Sequence, residues 1–239
     1  MLFAGRPPET DLSPAAWLIA GTAGARRLTV AALLPAAFAA YARVFHPAYR
    51  YAGDDDIEVD WASVAAENGT TAHPLMQWPG ITGGWEYCAE DSQPPVWDRA
   101  PDEGHLPADL AVRLTAVLRR HTATPEDCWF GVGTGGGWAA DAPTLALPDR
   151  EHWLIRGPLD LAAANLAPEP SEQSAHLWWP ADRAWYVATD IDLMSTYVGG
   201  SAACIADLLV TPGVEAAPVT PKDGVDFASD ALNPVPPRS

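Results

Sequence analysis

Leu177-Trp178-Trp179-Pro180-Ala181-Asp182-Arg183-Ala184-Trp185-Tyr186-Val187-Ala188-Thr189-Asp190 reads as two strands facing each other across a turn. Pro-Ala-Asp-Arg is turn chemistry, and the flanking runs are aromatic and β-branched. In the second run Trp185, Val187 and Thr189 alternate with Tyr186, Ala188 and Asp190, as a strand over Ala184–Ile191 requires. The pattern continues outward. Thr196–Val198 fits a further strand, Ser201 is placed to cap a helix over Ala202–Leu209, and Val214–Val219 fits a last strand. Upstream, Cys128–Val132 and Trp153–Arg156 read as strands, and Gly157-Pro158 opens a short helix through Asn165.

The first half carries helical signals. Ser13-Pro14 is a capping hydroxyl followed by a first-turn proline, ahead of apolar Ala15–Ala20. Arg27–Leu34 fits a strand. Leu34, Phe38, Tyr41 and Phe45 step by four, three and four, which predicts one face of a helix that opens at Pro35 and closes at His46-Pro47. Leu106-Pro107-Ala108 repeats that opening, and Leu110, Leu114, Val117 and His121 give the clearest helix, over Pro107–Arg120. The expected class is α+β, with a mixed, mainly antiparallel sheet and several packed helices. Residues 1–221 form one globular domain, with about residue 104 as the place where two similar units would meet, and 222–239 form a loose tail.

Charge is segregated along the 239 residues. Tyr51–Glu103 holds twelve Asp/Glu and only Arg99 as a cation, which gives −11 of the total −17. Residues 1–50 carry +3 and residues 104–239 carry −9. Lys222 is the single lysine. Such a balance opposes binding to nucleic-acid phosphates and to anionic membranes. It suits a basic protein partner. Within the acidic block, Thr70–Asp102 is rich in Pro and Gly but pinned by Trp78, Trp85, Tyr87 and Trp97.

Catalytic signatures are sparse. Gly131-Val-Gly133-Thr-Gly135-Gly136 satisfies G-x-G-x-x-G, but Pro143 follows too soon for the long helix that holds a pyrophosphate, so a loop is expected. Asp190 and Asp192 sit two apart, on one face of a strand, where hard oxygens could hold Mg²⁺ or Ca²⁺. Asp54, Asp56, Glu58 and Asp60 fail as a calcium loop: Val59 stands at the glycine position and Ala65 at the final glutamate. Cys88, Cys128 and Cys204 form no C-x-x-C pair, which fits a reducing cytoplasm. Arg26-Arg27 before Leu28–Ala42 resembles an export signal, but Pro35 interrupts the run. The residues call for no cofactor.

Leu34-Pro35-Ala-Ala-Phe38-Ala-Ala-Tyr41 resembles the early helix of the SUKH superfamily. Trp185-Tyr-Val-Ala-Thr-Asp with Tyr197-Val-Gly-Gly-Ser201 and Cys204–Leu209 resembles its strands and closing helix. The resemblance implies a mixed α/β fold and an immunity protein that binds and silences a toxin. The Ala-, Asp- and Arg-rich, Lys-poor composition is also similar to a family from high-GC actinobacteria, a likeness that implies no function.

The expectation drawn from these residues is a non-catalytic acidic protein-binding module that meets a basic partner through Asp54, Asp55, Asp56, Glu58, Asp60, Trp78 and Trp85. The alternatives are a metal-assisted hydrolase working through Asp190 and Asp192, and a structural or assembly subunit with tryptophan-rich interfaces.

Overall fold

The computed structural model describes residues 2–53, 55–85, 87, 92–135, 141–148, 150–167, 173–233 and 235, with the side chain of Asp55 excepted. The fold is α+β. Eight strands form one sheet in the order β10-β1-β9-β8-β7-β4-β6-β5. These strands are β1 (Ala40–Phe45), β4 (Cys128–Gly133), β5 (Leu145–Leu147), β6 (Arg150–Gly157), β7 (Leu177–Pro180), β8 (Tyr186–Thr189), β9 (Ser195–Gly200) and β10 (Ala216–Val219). Every pairing is antiparallel. Two further strands, β2 (Ala48–Ala52) and β3 (Asp55–Val59), form a separate ribbon.

Both faces of the sheet are covered, so its central strands are apolar on both sides. Trp178, Trp185 and Val187 face one cluster, with Phe130, Ile155 and Val198. Helices α5 (Ala108–Leu118) and α6 (Ala202–Leu209) pack there. Trp179, Tyr186, Ala188 and Tyr197 face the other, under α1 (Ala16–Thr22) and α2 (Val30–Leu33). The alternation read in the 177–190 hairpin thus sorts its side chains between two cores. The indole N–H of Trp185 donates to the carbonyl oxygen of Leu118 at 3.0 Å and ties the hairpin to the end of α5. Ser201 caps α6: its Oγ accepts from the Cys204 amide at 3.1 Å.

A third cluster lies under the ribbon. Phe45, Trp61, Met76, Trp78 and Trp97 fill it, with α3 (Trp61–Glu67) and α4 (Trp78–Thr82) above. Trp61, Trp78 and Trp97 form a chain of rings with centroids 5.2 and 5.1 Å apart. These aromatic contacts anchor Trp78 and Trp97 of the Pro-rich segment to α3.

Four expectations are corrected. The helix predicted to open at Pro35 and close at His46-Pro47 is absent: 36–39 turn, and Ala40–Phe45 is β1, an interior strand paired on both sides. Tyr41, Arg43 and Phe45 against Ala42 and Val44 also satisfy period two, and two neighbouring strands decide between the patterns. Arg27–Leu34 ends in the short helix α2 rather than a strand. Gly131 and Gly133 lie inside β4, not in a loop, because Leu177 and His176 pack where a Cβ would stand; Gly136 lies outside the described residues. The expected loose tail is packed through Asn233: Val225 and Asp230 are buried, and the Asp230 carboxylate accepts from the amides of Gln77, Leu232 and Asn233.

No helix among the described residues is long and apolar enough to cross a membrane.

Candidate functional site

Of the acidic residues singled out in the sequence, those described lie on or beside the β2–β3 ribbon. Asp54 lies outside the described residues, and only the backbone of Asp55 is described, in β3. Asp56, Glu58 and Asp60 are exposed and alternate along one side of the strand. Two of the three already meet a cation of their own chain. Glu58 pairs with Arg113 at 2.5 Å, and Asp56 lies 3.8 Å from Arg99. Asp60 precedes α3.

The two tryptophans do not join them. Trp78 is buried in the third cluster, where a partner would not reach its ring, and its indole N–H donates to the Tyr87 carbonyl at 2.9 Å. Trp85 is half-buried and meets Phe227 edge-on, with centroids 4.7 Å apart.

Asp190 and Asp192 occupy the turn after β8 rather than one strand face. Both carboxylates bind Arg150, at 3.2 and 2.5 Å. A guanidinium therefore fills the place proposed for a metal. No cluster of three or more His, Cys, Asp or Glu among the described residues is arranged to hold a metal ion.

The feature that sequence reading missed is a cavity of about 320 Å³ on the α1/α2 side of the sheet. Its walls come from widely separated parts of the chain. The α2 segment supplies Leu28, Ala32 and Leu33; the third cluster supplies Trp61 and Trp78; the β8–β9 turn supplies Met194; β1 and β9 supply Arg43 and Tyr197; and the C-terminal segment supplies Val225 and Phe227. Arg27, Glu103, Arg150, Asp190, Asp192 and Asp226 add charged groups to the lining.

Arg43 and Tyr197 are register partners on adjacent strands, so their side chains leave the sheet on the same face. Arg43 is 2% exposed. Its Nε donates to Ser195 Oγ at 2.9 Å and its Nη1 to the Met76 carbonyl at 2.7 Å. The guanidinium lies over the rings of Phe45 and Trp61, 4.5 and 5.2 Å from their centroids. Burial pulls its pKa down, opposed by Tyr197, Asp230 and Glu215 at longer range.

The segment 222–233 closes one side of this cavity and is clasped to residues 71–77. The side-chain amide of Gln77 donates to Ser229 Oγ at 2.9 Å. His73 Nε2 lies 2.8 Å from Asp230, and Thr71 exchanges two hydrogen bonds with the Asn233 side chain. Burial pushes the Asp230 carboxyl up, but the amides of Asn233 and Gln77 outweigh it and the net direction is down.

No protein-family model, curated protein or solved structure matches the chain. One sequence signal could have found the cavity floor: Arg43 interrupts Ala40-Tyr41-Ala42-Arg43-Val44-Phe45, an otherwise apolar run. A lone arginine on the core face of a central strand needs an explanation.

Proposed function

We propose that this is a binding protein whose ligand is a small, largely apolar organic molecule held between the sheet, α2 and the 222–233 segment. The observation that carries this reading is the cavity of about 320 Å³, whose wall is largely aromatic and aliphatic, with charged and polar side chains set among them. That size lies at the lower end of small-molecule sites, and such lining is their usual composition. Arg150 occupies the carboxylates of Asp190 and Asp192, which weighs against metal-assisted hydrolysis there. The unpaired buried thiols of Cys128 and Cys204 support a reducing, cytoplasmic setting. A fragment library screened by ligand-observed NMR tests the proposal. Hits should vanish in Ala32→Phe, which fills the cavity while leaving the sheet intact. A screen without hits, or hits that survive the filled cavity, would overturn it.

A second reading rests on a different surface. The exposed run Asp56, Glu58 and Asp60 on the ribbon supports docking of a basic protein, of the immunity kind that the SUKH resemblance implies. Pairing with Arg99 and Arg113 reduces the charge available for it. Affinity for such a partner should fall steeply with salt, and salt-insensitive binding would count against this surface.

A further inference from the structure

Arg43 has five N–H bonds to satisfy. One goes from Nε to Ser195 Oγ, and the two on Nη1 point to the carbonyls of Met76 and Pro74, at 2.7 and 3.4 Å. Nη2 makes no hydrogen bond to any described residue. No described carboxylate forms an ion pair with the guanidinium either. The acids whose charge it feels are committed elsewhere: Glu215 accepts from the amides of Trp61 and Ala62, and Asp230 is held by the C-terminal clasp.

Beside it stands the hydroxyl of Tyr197. This residue is 1% exposed, yet its hydroxyl has no hydrogen-bond partner among the described residues. Both side chains line the cavity. A guanidinium with no ion-pair partner, beside a hydroxyl with no protein partner, leaves donors open at the cavity wall.

On the basis of the small-molecule reading above, we infer that the ligand carries a carboxylate, seated on Nη2 of Arg43 and the hydroxyl of Tyr197, with its apolar body along Trp61, Trp78 and Phe227. A carboxylate has two oxygens for these two donor groups, and charge-assisted bonds of this kind are strong. The rest of the lining favours one negative charge over two. Glu103, Asp190, Asp192 and Asp226 outnumber Arg27 and Arg150 there, so each negative charge beyond the one that Arg43 meets costs, and a phosphate dianion is repelled more than a carboxylate.

Matched probes test the inference on the full chain. Phenylacetate and 2-naphthylacetate are titrated by calorimetry against their neutral amides and against the corresponding phosphonates. The acids should bind about tenfold tighter than the amides, the step expected of one charge-assisted hydrogen bond. Tyr197→Phe deletes one cavity-facing atom and should narrow that ratio by about fivefold. Arg43→Met should abolish it; because this variant also loses the Met76 contact, its fold is checked by circular dichroism and the Tyr197→Phe result carries the decision. Acid and amide binding equally would remove the anion seat and leave the cavity reading standing. Phosphonates binding tighter than the acids, or an unchanged ratio in Tyr197→Phe, would overturn the carboxylate assignment. If no acid, amide or phosphonate binds, the seat and the cavity reading fall together.

Discussion

Nε2 of His46 lies 2.9 Å from Oγ1 of Thr196, and neither residue has any solvent-exposed surface. The other ring nitrogen, Nδ1, faces the carbonyl oxygen of Asp102 at 2.6 Å, which can only accept. Nδ1 therefore carries the proton, Nε2 accepts from Thr196, and Thr196 accepts in turn from Thr189, 2.7 Å away. This chain of bonds joins β1's end, the segment before α5 and strands β8 and β9.

Thr196→Val should therefore destabilise the protein by about 1–3 kcal/mol, because it leaves Nε2 of His46 and the Thr189 hydroxyl unpaired in the interior. Thr196→Ser, which keeps the hydroxyl, should cost less. Urea denaturation of the two variants beside the parent gives the comparison.

The clasp at Asp230 should behave as a unit. Asp230→Asn loses the charge that His73 and three backbone amides address, and should cost about 1–3 kcal/mol. Hydrogen exchange should quicken in 223–233 and in 71–77 before it does in the central strands. Equal exchange in both regions would mean that the segment is held by other contacts.

Gly80 gives a steric test of the same contact. A Cβ there would collide with the backbone oxygen of Asn233 and stand 2.8 Å from the Asp230 carboxylate. Gly80→Ala should push the C-terminal segment away and lower the melting temperature by several degrees, a change on the order of 1–3 kcal/mol. Gly135→Ala, where nothing lies within 4 Å, is the control and should be close to neutral.

The two buried thiols should be inert. Burial pushes Cys128 up to about 12 and Cys204 up to about 11, so both are protonated at neutral pH. Iodoacetamide followed by peptide mapping should find them unmodified in the folded chain and modified in guanidinium. Rapid labelling of either in the native state would contradict the packing described.

Elements whose local pattern and tertiary surroundings agree were legible in the sequence. The 177–190 hairpin, the Ser201 cap and α5 each satisfy one period without competition. Residues 34–45 satisfy two periods, and pairing with β9 and β10, set by residues 150 or more positions away, decides for a strand over Ala40–Phe45. Beyond the lone Arg43 in its apolar run, the cavity could not be read: Arg43, Trp78, Tyr197 and Phe227 are brought together only by the sheet order and the clasped C-terminus. The acidic block was visible as composition, but its partial neutralisation by Arg99 and Arg113 was not, since Arg113 comes from α5.

Stability against pH should show opposing contributions. Burial holds His46 at about 4, His152 at about 3 and His176 at about 4, all below the ordinary histidine value. His176 and Arg150 add to the effect at His152. Each residue is neutral in the folded state at pH 7, whereas the unfolded chain takes up the protons near pH 6.5. Their stabilisation is thus full above pH 6.5 and is lost as pH falls toward 4 and 3, on the order of 3 kcal/mol for His46 alone. Glu215 works the other way. Burial raises it to about 7 despite the Ala62 and Trp61 amides that favour its charged form. The folded state keeps that proton to higher pH than the unfolded chain does, so its contribution declines as pH climbs from 4.5 to 7. Three histidines outweigh one glutamate, and net stability should rise from pH 4 to pH 7 and then level. Glu215→Gln removes the opposing arm, so its rise over the same range should be steeper than the parent's. Urea midpoints taken every half pH unit would show this, and parallel curves for the two proteins would exclude Glu215 as the opposing group.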